Sequence, residues 1–230
     1  MTESLHFGLI SKSERKDTHA FVGLRRSLAS DFLQNLFPES YYLMSLPSQA
    51  HALSALSIPD YLNGEADGSI RHEYINGQVY AMAGGSARHN LIAVNAGSLL
   101  NTRLPETCEV FVADMKVRIH RIDDSRFYYP DVMVCCREED KEIYYRESPC
   151  LIIEVLSDAT ERLDRFEKFQ AYRRIETLQE YLLLNQHYPE AMLFRRGNAW
   201  QSEIYRKGAF RLESVDVTLS LDVLYRRVKF

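Results

Sequence analysis

The chain reads as a mixed α/β domain, a central mixed β-sheet flanked by helices, and three features carry that reading. Patterned segments run helix, hairpin, helix, strands, helix, strands, an order that lays helices against a sheet rather than against one another. The run Leu151-Ile152-Ile153-Glu154-Val155-Leu156 is apolar on both pleat faces except for one acid, the form of a strand covered on both sides. RHEYI and QVYAMA alternate in polarity about Asn76-Gly77, a pair that tolerates positive φ in a two-residue hairpin turn.

Residues before about Tyr42 are mixed in character, with one short amphipathic stretch over 24–37, and residues 45–57 (SLPSQAHALSALS) are small and polar like a linker. We therefore expect residues 1–50 to be a poorly ordered N-terminal extension and 51–230 to be the working domain. Ser57 with Asp60 makes a helix start. After the hairpin, Gly84-Gly85-Ser86 caps a second helix, ARHNLIAVNAGSLLNTRL, with Leu91, Val94, Ser98 and Leu99 at helical spacing. CEVFVADMKVRI, FYYPDVMVCC and CLIIEVLS read as three strands, Asp158 and Thr160 open a helix reaching about Arg174, and the remainder is β-rich.

Hydrophobic content of 46% and charged content of 26% describe an ordinary globular chain, and no apolar run is long enough to span a bilayer. With no signal-peptide order at the N-terminus, a cytoplasmic protein is expected. The net charge of -4 gives no global attraction to nucleic acid, so any such attraction must be local. The four cysteines, Cys108, Cys135, Cys136 and Cys150, show no CxxC spacing. We expect buried reduced thiols rather than a zinc site or a disulfide frame.

Chemistry gathers at two acids. Asp131 follows Pro130 at the start of a strand, and Glu154 lies inside LIIEVL. A lone ionised carboxylate in a core is costly, so two at strand ends point to a cation between them, and hard oxygen ligands favour Mg²⁺. Lys168 lies on the helix after the Glu154 strand, in a stripe with Asp164, Tyr172 and Ile175. Glu73, within RHEYI, is a further acid. Blander readings stand beside these: Lys168 paired only with Asp164, Glu73 paired with Arg71 or Arg88, and His89 as a capping histidine. No GxSxG or HExxH occurs, which leaves serine-hydrolase and zincin chemistry unsupported.

The segments RHEYINGQVYAMAG, HNLIAVNAGSLL, CEVFVADMKVRI, FYYPDVMVCC, PCLIIEVLS and DRFEKFQAYRRI together resemble the Uma-two-type family of restriction-endonuclease-like proteins, abundant in cyanobacteria, within the PD-(D/E)XK nuclease superfamily. The resemblance runs from about Ser57 to Arg196. It implies a restriction-endonuclease-like core and a metal-dependent endonuclease hydrolysing DNA phosphodiester bonds. Pro130-Asp131 matches the PD element and Glu154-Val155-Leu156 the (D/E)XK element, with Leu156 where the superfamily has lysine and Lys168 as its displaced equivalent. The implied metal set is Asp131, Glu154 and the Val155 carbonyl, holding Mg²⁺ with Mn²⁺ as the alternative ion, and Glu73 assists. His89 and Asp114 match family positions without an assigned role. The implied partner is double-stranded DNA, with a homodimer compatible and no membrane. The alternatives are an inactive nucleic-acid-binding protein of the same fold and a phosphoester hydrolase acting on RNA or a small substrate.

Because the resemblance begins near Ser57 and an isolated helix as short as 24–37 is marginal in water, a chain starting at Met44 should match the full chain in melting temperature. A loss of several degrees, or insoluble protein, would place the N-terminal segment in the domain.

Overall fold

Local signals start the described part of the chain. In the computed structural model, residues 55–122 and 124–230 are described, all but the side chain of Asp67, and they belong to a compact unit, Leu53–Phe230. The extension expected over 1–50 lies outside the described residues. Helix α1, Ile58–Asp67, begins where Ser57 Oγ accepts from the Asp60 amide at 3.2 Å. Strands β1, His72–Ile75, and β2, Gln78–Ala81, pair with Ile75 opposite Gln78. The turn between them puts Asn76 at φ 49° and Gly77 at φ 90°, positive at both central positions as the hairpin pattern requires. Helix α2, Ala87–Arg103, starts at Ser86, whose side chain accepts from the His89 amide.

The buried face of α2 is not the expected one. Ile92, Ala93, Ala96, Gly97 and Leu100 are buried, whereas Val94 is exposed. Small residues decided this, because a helix with Ala93, Ala96 and Gly97 inward can lie close on a sheet. A Cβ at Gly97 would stand only 2.3 Å from Val112 Cγ2.

The single central sheet divides into two. CEVFVADMKVRI holds two strands, β3 (Glu109–Val112) and β4 (Lys116–Arg121), separated by a kink with Ala113 at φ 60°. β5 (Asp124–Tyr128) and β6 (Val132–Cys135) are likewise parted at Tyr129-Pro130-Asp131, where proline cannot extend a ladder. One five-stranded sheet runs β2-β1-β5-β4-β7, with β7 at Tyr145–Arg146. A six-stranded sheet runs β11-β10-β9-β8-β6-β3, with β8 Leu151–Leu156, β9 Glu180–Asn185, β10 Ala191–Arg195 and β11 Ser202–Tyr205. Only β8–β9 is parallel in this second sheet, so the sheet is mixed. Hairpin β12–β13 (Ala209–Leu212, Val217–Ser220) and the short α4, Leu221–Leu224, follow.

Every residue of β8 is buried, as its apolar run predicts. Leu151, Ile153 and Val155 pack in one cluster with α2, β12–β13 and α4. Ile152 and Leu156 pack in another with Val117, Tyr128, Tyr172 and Tyr181. The six-stranded sheet is thus the central layer, covered by helices and a hairpin on one face and by strands β4–β5 and a helix on the other. That second helix departs from expectation too. Ser157, rather than Asp158, supplies the side-chain acceptor, to the Thr160 amide. A six-residue π-helical segment, Leu163–Lys168, then leads into α3, Phe169–Tyr172.

The cysteine expectation is corrected. β3 and β6 align Glu109 with Cys135, which sets Cys108 opposite Cys136, and these two form a disulfide. Cys135 and Cys150 are free. No local spacing announces this pair, because the antiparallel register alone brings it together.

Gly77 meets two demands at once, a positive φ and close approach to Ala55, whose Cα would lie 2.9 Å from an added Cβ. Gly77→Ala should therefore destabilise the domain by about 1–3 kcal/mol, measured by urea denaturation. An unchanged midpoint would show that the turn relaxes freely.

Candidate active site

Asp131 and Glu154 meet across the β6–β8 ladder. Val132 pairs with Ile153, so one step further sets Asp131 opposite Glu154. The two strand segments exchange hydrogen bonds crosswise: the Asp131 amide donates to Glu154 Oε2 at 3.2 Å, and the Val155 amide donates to Asp131 Oδ2 at 2.7 Å. Each carboxylate is therefore fixed by the backbone that carries the other. Glu154 is 2% exposed, whereas the Asp131 side chain keeps 21% of its surface open.

Lys168 arrives on the π-helical segment and stands among three acids. Its Nζ lies 2.9 Å from Glu73 Oε1, 3.3 Å from Asp164 Oδ1 and 3.4 Å from Glu154 Oε1. The Tyr172 hydroxyl donates to Glu154 Oε1 at 2.9 Å, and the Tyr128 ring flanks the ammonium, 5.6 Å away. The stripe of Asp164, Lys168 and Tyr172 thus faces inward, and all three are buried. Glu73 reaches the group from β1, its partner being Lys168 rather than Arg71, which pairs instead with Asp114 at 3.5 Å.

His89, at the start of α2, places Nε2 3.1 Å from Asp131 Oδ2, so it joins the constellation and does more than cap a helix. Asp114 stays out at the surface, its side chain 77% exposed. Sequence reasoning gave Tyr172 no chemical part and weighed Asp164 only as a rival partner for Lys168. Their shared stripe was the available signal.

These positions can be set beside known proteins. The profile of the Uma2 family, described as "Putative restriction endonuclease", matches residues 58–224. The chain belongs to the Uma2 family. Two relatives from Synechocystis sp. bear on it. The "Uncharacterized protein slr1290" is 35% identical over 190 residues, covering 79% of this chain and 99% of the relative. The "Uncharacterized protein sll1609" is 37% identical over 135 residues, covering 57% of this chain and 75% of the relative. A crystal structure from Anabaena variabilis, titled as a "putative nuclease belonging to DUF820", superposes with a TM-score of 0.55 at 17% identity. That match covers 67% of this chain and 89% of the other, and it shows a shared fold. No helix among the described residues of this Uma2 protein is long and apolar enough to cross a membrane.

The electrostatics of the Uma2 site follow from three buried carboxylates around one ammonium. Burial drives the Glu154 carboxyl well above the usual carboxylate range; Lys168 opposes this, while Asp164 and Asp131 add to it. Asp164 is raised for the same first reason. Burial disfavours the charged lysine, but Glu154, Glu73 and Asp164 outweigh it and hold Lys168 protonated well above its ordinary value. Burial would also lower His89, yet the hydrogen bond and charge of Asp131, with help from Asp164 and the Val155 backbone, raise it. The site is short of positive charge, and this favours retention of a proton on its buried carboxylates.

That proton has a consequence for stability. Glu154 binds its proton more tightly folded than unfolded, so the folded state carries more protons above the ordinary carboxylate range, and stability falls as pH rises there. His89, also raised, acts in the same direction. Glu65 and Asp124, held low against burial by hydrogen bonds to Tyr129 and His72 and to Arg126, have given their full contribution at the acid end. Melting of the metal-free protein should therefore drop between about pH 5 and about pH 8, and Glu154→Gln should flatten the slope. A wild-type melting temperature that climbs across this window would contradict the assignment.

Proposed function

We propose that this Uma2 protein is a Mg²⁺-dependent endonuclease that hydrolyses phosphodiester bonds of double-stranded DNA through a PD-(D/E)XK-type site. The observation that carries the reading is the crosswise pairing of Asp131 and Glu154 with Lys168 delivered beside them from the following helix. Two carboxylates, with the Val155 carbonyl, would make up an all-oxygen donor set, and Mg²⁺ commonly takes one or two carboxylates while keeping waters and binding substrate phosphate. Bound there, the ion supplies Lewis-acid polarisation of a phosphoryl oxygen and lowers the pKa of an attacking water.

The chain's own residues do the rest. Asp131 and Glu154 would hold the ion, each aligned by an amide of the strand segment that carries the other. The Lys168 ammonium, kept charged by its acids, donates to the phosphoryl oxygens and balances negative charge as the pentavalent arrangement forms. Glu73 fixes Lys168 from the β1 side. The partly open face of Asp131, against His89, is the side from which substrate approaches.

Leu156 in place of the strand lysine favours a second reading, a nucleic-acid-binding protein of this fold without turnover. Nicking of supercoiled plasmid under a Mg²⁺ titration separates the two. Cleavage should require the metal, and Asp131→Asn, Glu154→Gln and Lys168→Met should each reduce the rate by about a hundredfold or more, measured on variants whose folding is checked by circular dichroism because Lys168→Met leaves three buried acids uncompensated. Retained DNA binding without nicking at any Mg²⁺ or Mn²⁺ concentration would select the second reading. Full activity in the Lys168 variant would remove Lys168 from the mechanism.

A further inference from the structure

The third acid beside Lys168 has no part in the reaction as described. Asp164 is 2% exposed, and its Oδ1, although 3.3 Å from Lys168 Nζ, makes no hydrogen bond. A buried carboxylate oxygen without a donor is costly to keep. Its backbone is tied down on both sides: the amide donates to the Thr160 carbonyl at 2.9 Å, and the carbonyl accepts from the Tyr181 hydroxyl at 3.0 Å. The acid is therefore held in place on the same segment that carries the lysine.

The other two acids have competing duties. Glu154 already faces Asp131 and would turn its charge toward a cation; Glu73 comes from a different sheet. Once Glu154 is drawn away, Lys168 loses one of its three acid partners. The acid four residues before it, on its own π-helical segment, stays. Its free Oδ1 is then the acceptor that the ammonium can take up.

We propose that Asp164 is the positioning residue for Lys168: it retains the ammonium over the reacting phosphate when Glu154 engages the metal, without itself becoming a metal ligand. The kinetic part of this inference rests on the nuclease reading of the same site; the structural part does not.

The test uses the full chain with Asp164→Asn, alone and combined with Lys168→Met, and Asp164→Ser as a second variant in case the first does not fold. Asp164→Asn should lower kcat for plasmid nicking by about a hundredfold with KM for plasmid and calorimetric Mg²⁺ affinity unchanged. In the Lys168→Met background it should cause no further loss. A crystal structure of the variant with Mg²⁺ should show Nζ displaced from its wild-type position. Additive losses in the double variant would overturn the proposal, as would a fall in Mg²⁺ affinity matching that of Glu154→Gln, or an unmoved Nζ. If the wild-type protein nicks nothing, the nuclease reading fails, and the position of Nζ alone decides the role of Asp164.

Discussion

The β6–β8 register is the constraint on which the site depends. Side chains alternate faces along a strand, so a slip of one residue would carry Asp131 or Glu154 to the opposite face of the sheet. The crosswise hydrogen bonds between each strand's backbone and the other's carboxylate lock the register at the candidate site. Apolar packing holds it elsewhere: Val132, Val134, Leu151 and Ile153 share one buried cluster. Strand pairing and site geometry are thus one interaction seen at two scales.

The second constraint is charge. Glu73, Asp164 and Glu154 all lie within 3.4 Å of one ammonium, and burying that excess of negative charge works against folding. A chain optimised for stability alone would place apolar residues here, as it does along the rest of β8. Under the nuclease reading proposed above, a bound divalent cation would offset that charge. The π-helical segment fits the same logic, since such segments recur at functional sites, and here it turns both Asp164 and Lys168 inward.

Much of the fold was legible because its signals are local. The Asn76-Gly77 turn, the Ser57 and Ser86 caps and the doubly buried Leu151–Leu156 strand each follow from a few neighbouring residues. Expectations failed where the outcome depended on distant partners. The division of CEVFVADMKVRI and FYYPDVMVCC between two sheets hangs on kinks at Ala113 and around Pro130. The buried face of α2 differs from the Leu91–Val94–Ser98–Leu99 stripe because close packing on the sheet prefers the small Ala93, Ala96 and Gly97. The Cys108–Cys136 bond needs the β3–β6 register, which no spacing reveals.

For the site, the sequence by itself marked which residues to set at a candidate site: Asp131 at a strand start, Glu154 in an apolar strand and Lys168 on the next helix stand out because an ionisable group in such surroundings is expensive. Only the tertiary structure decided their company. It joined Glu73 to Lys168 from another sheet, set His89 on Asp131, sent Asp114 to the surface beside Arg71, and drew Asp164 and Tyr172 into the cluster. The reason is range. The cost of burying a charge can be read from its flanking residues, but the group that offsets it is supplied by whatever element packs opposite, and packing is settled across the whole domain.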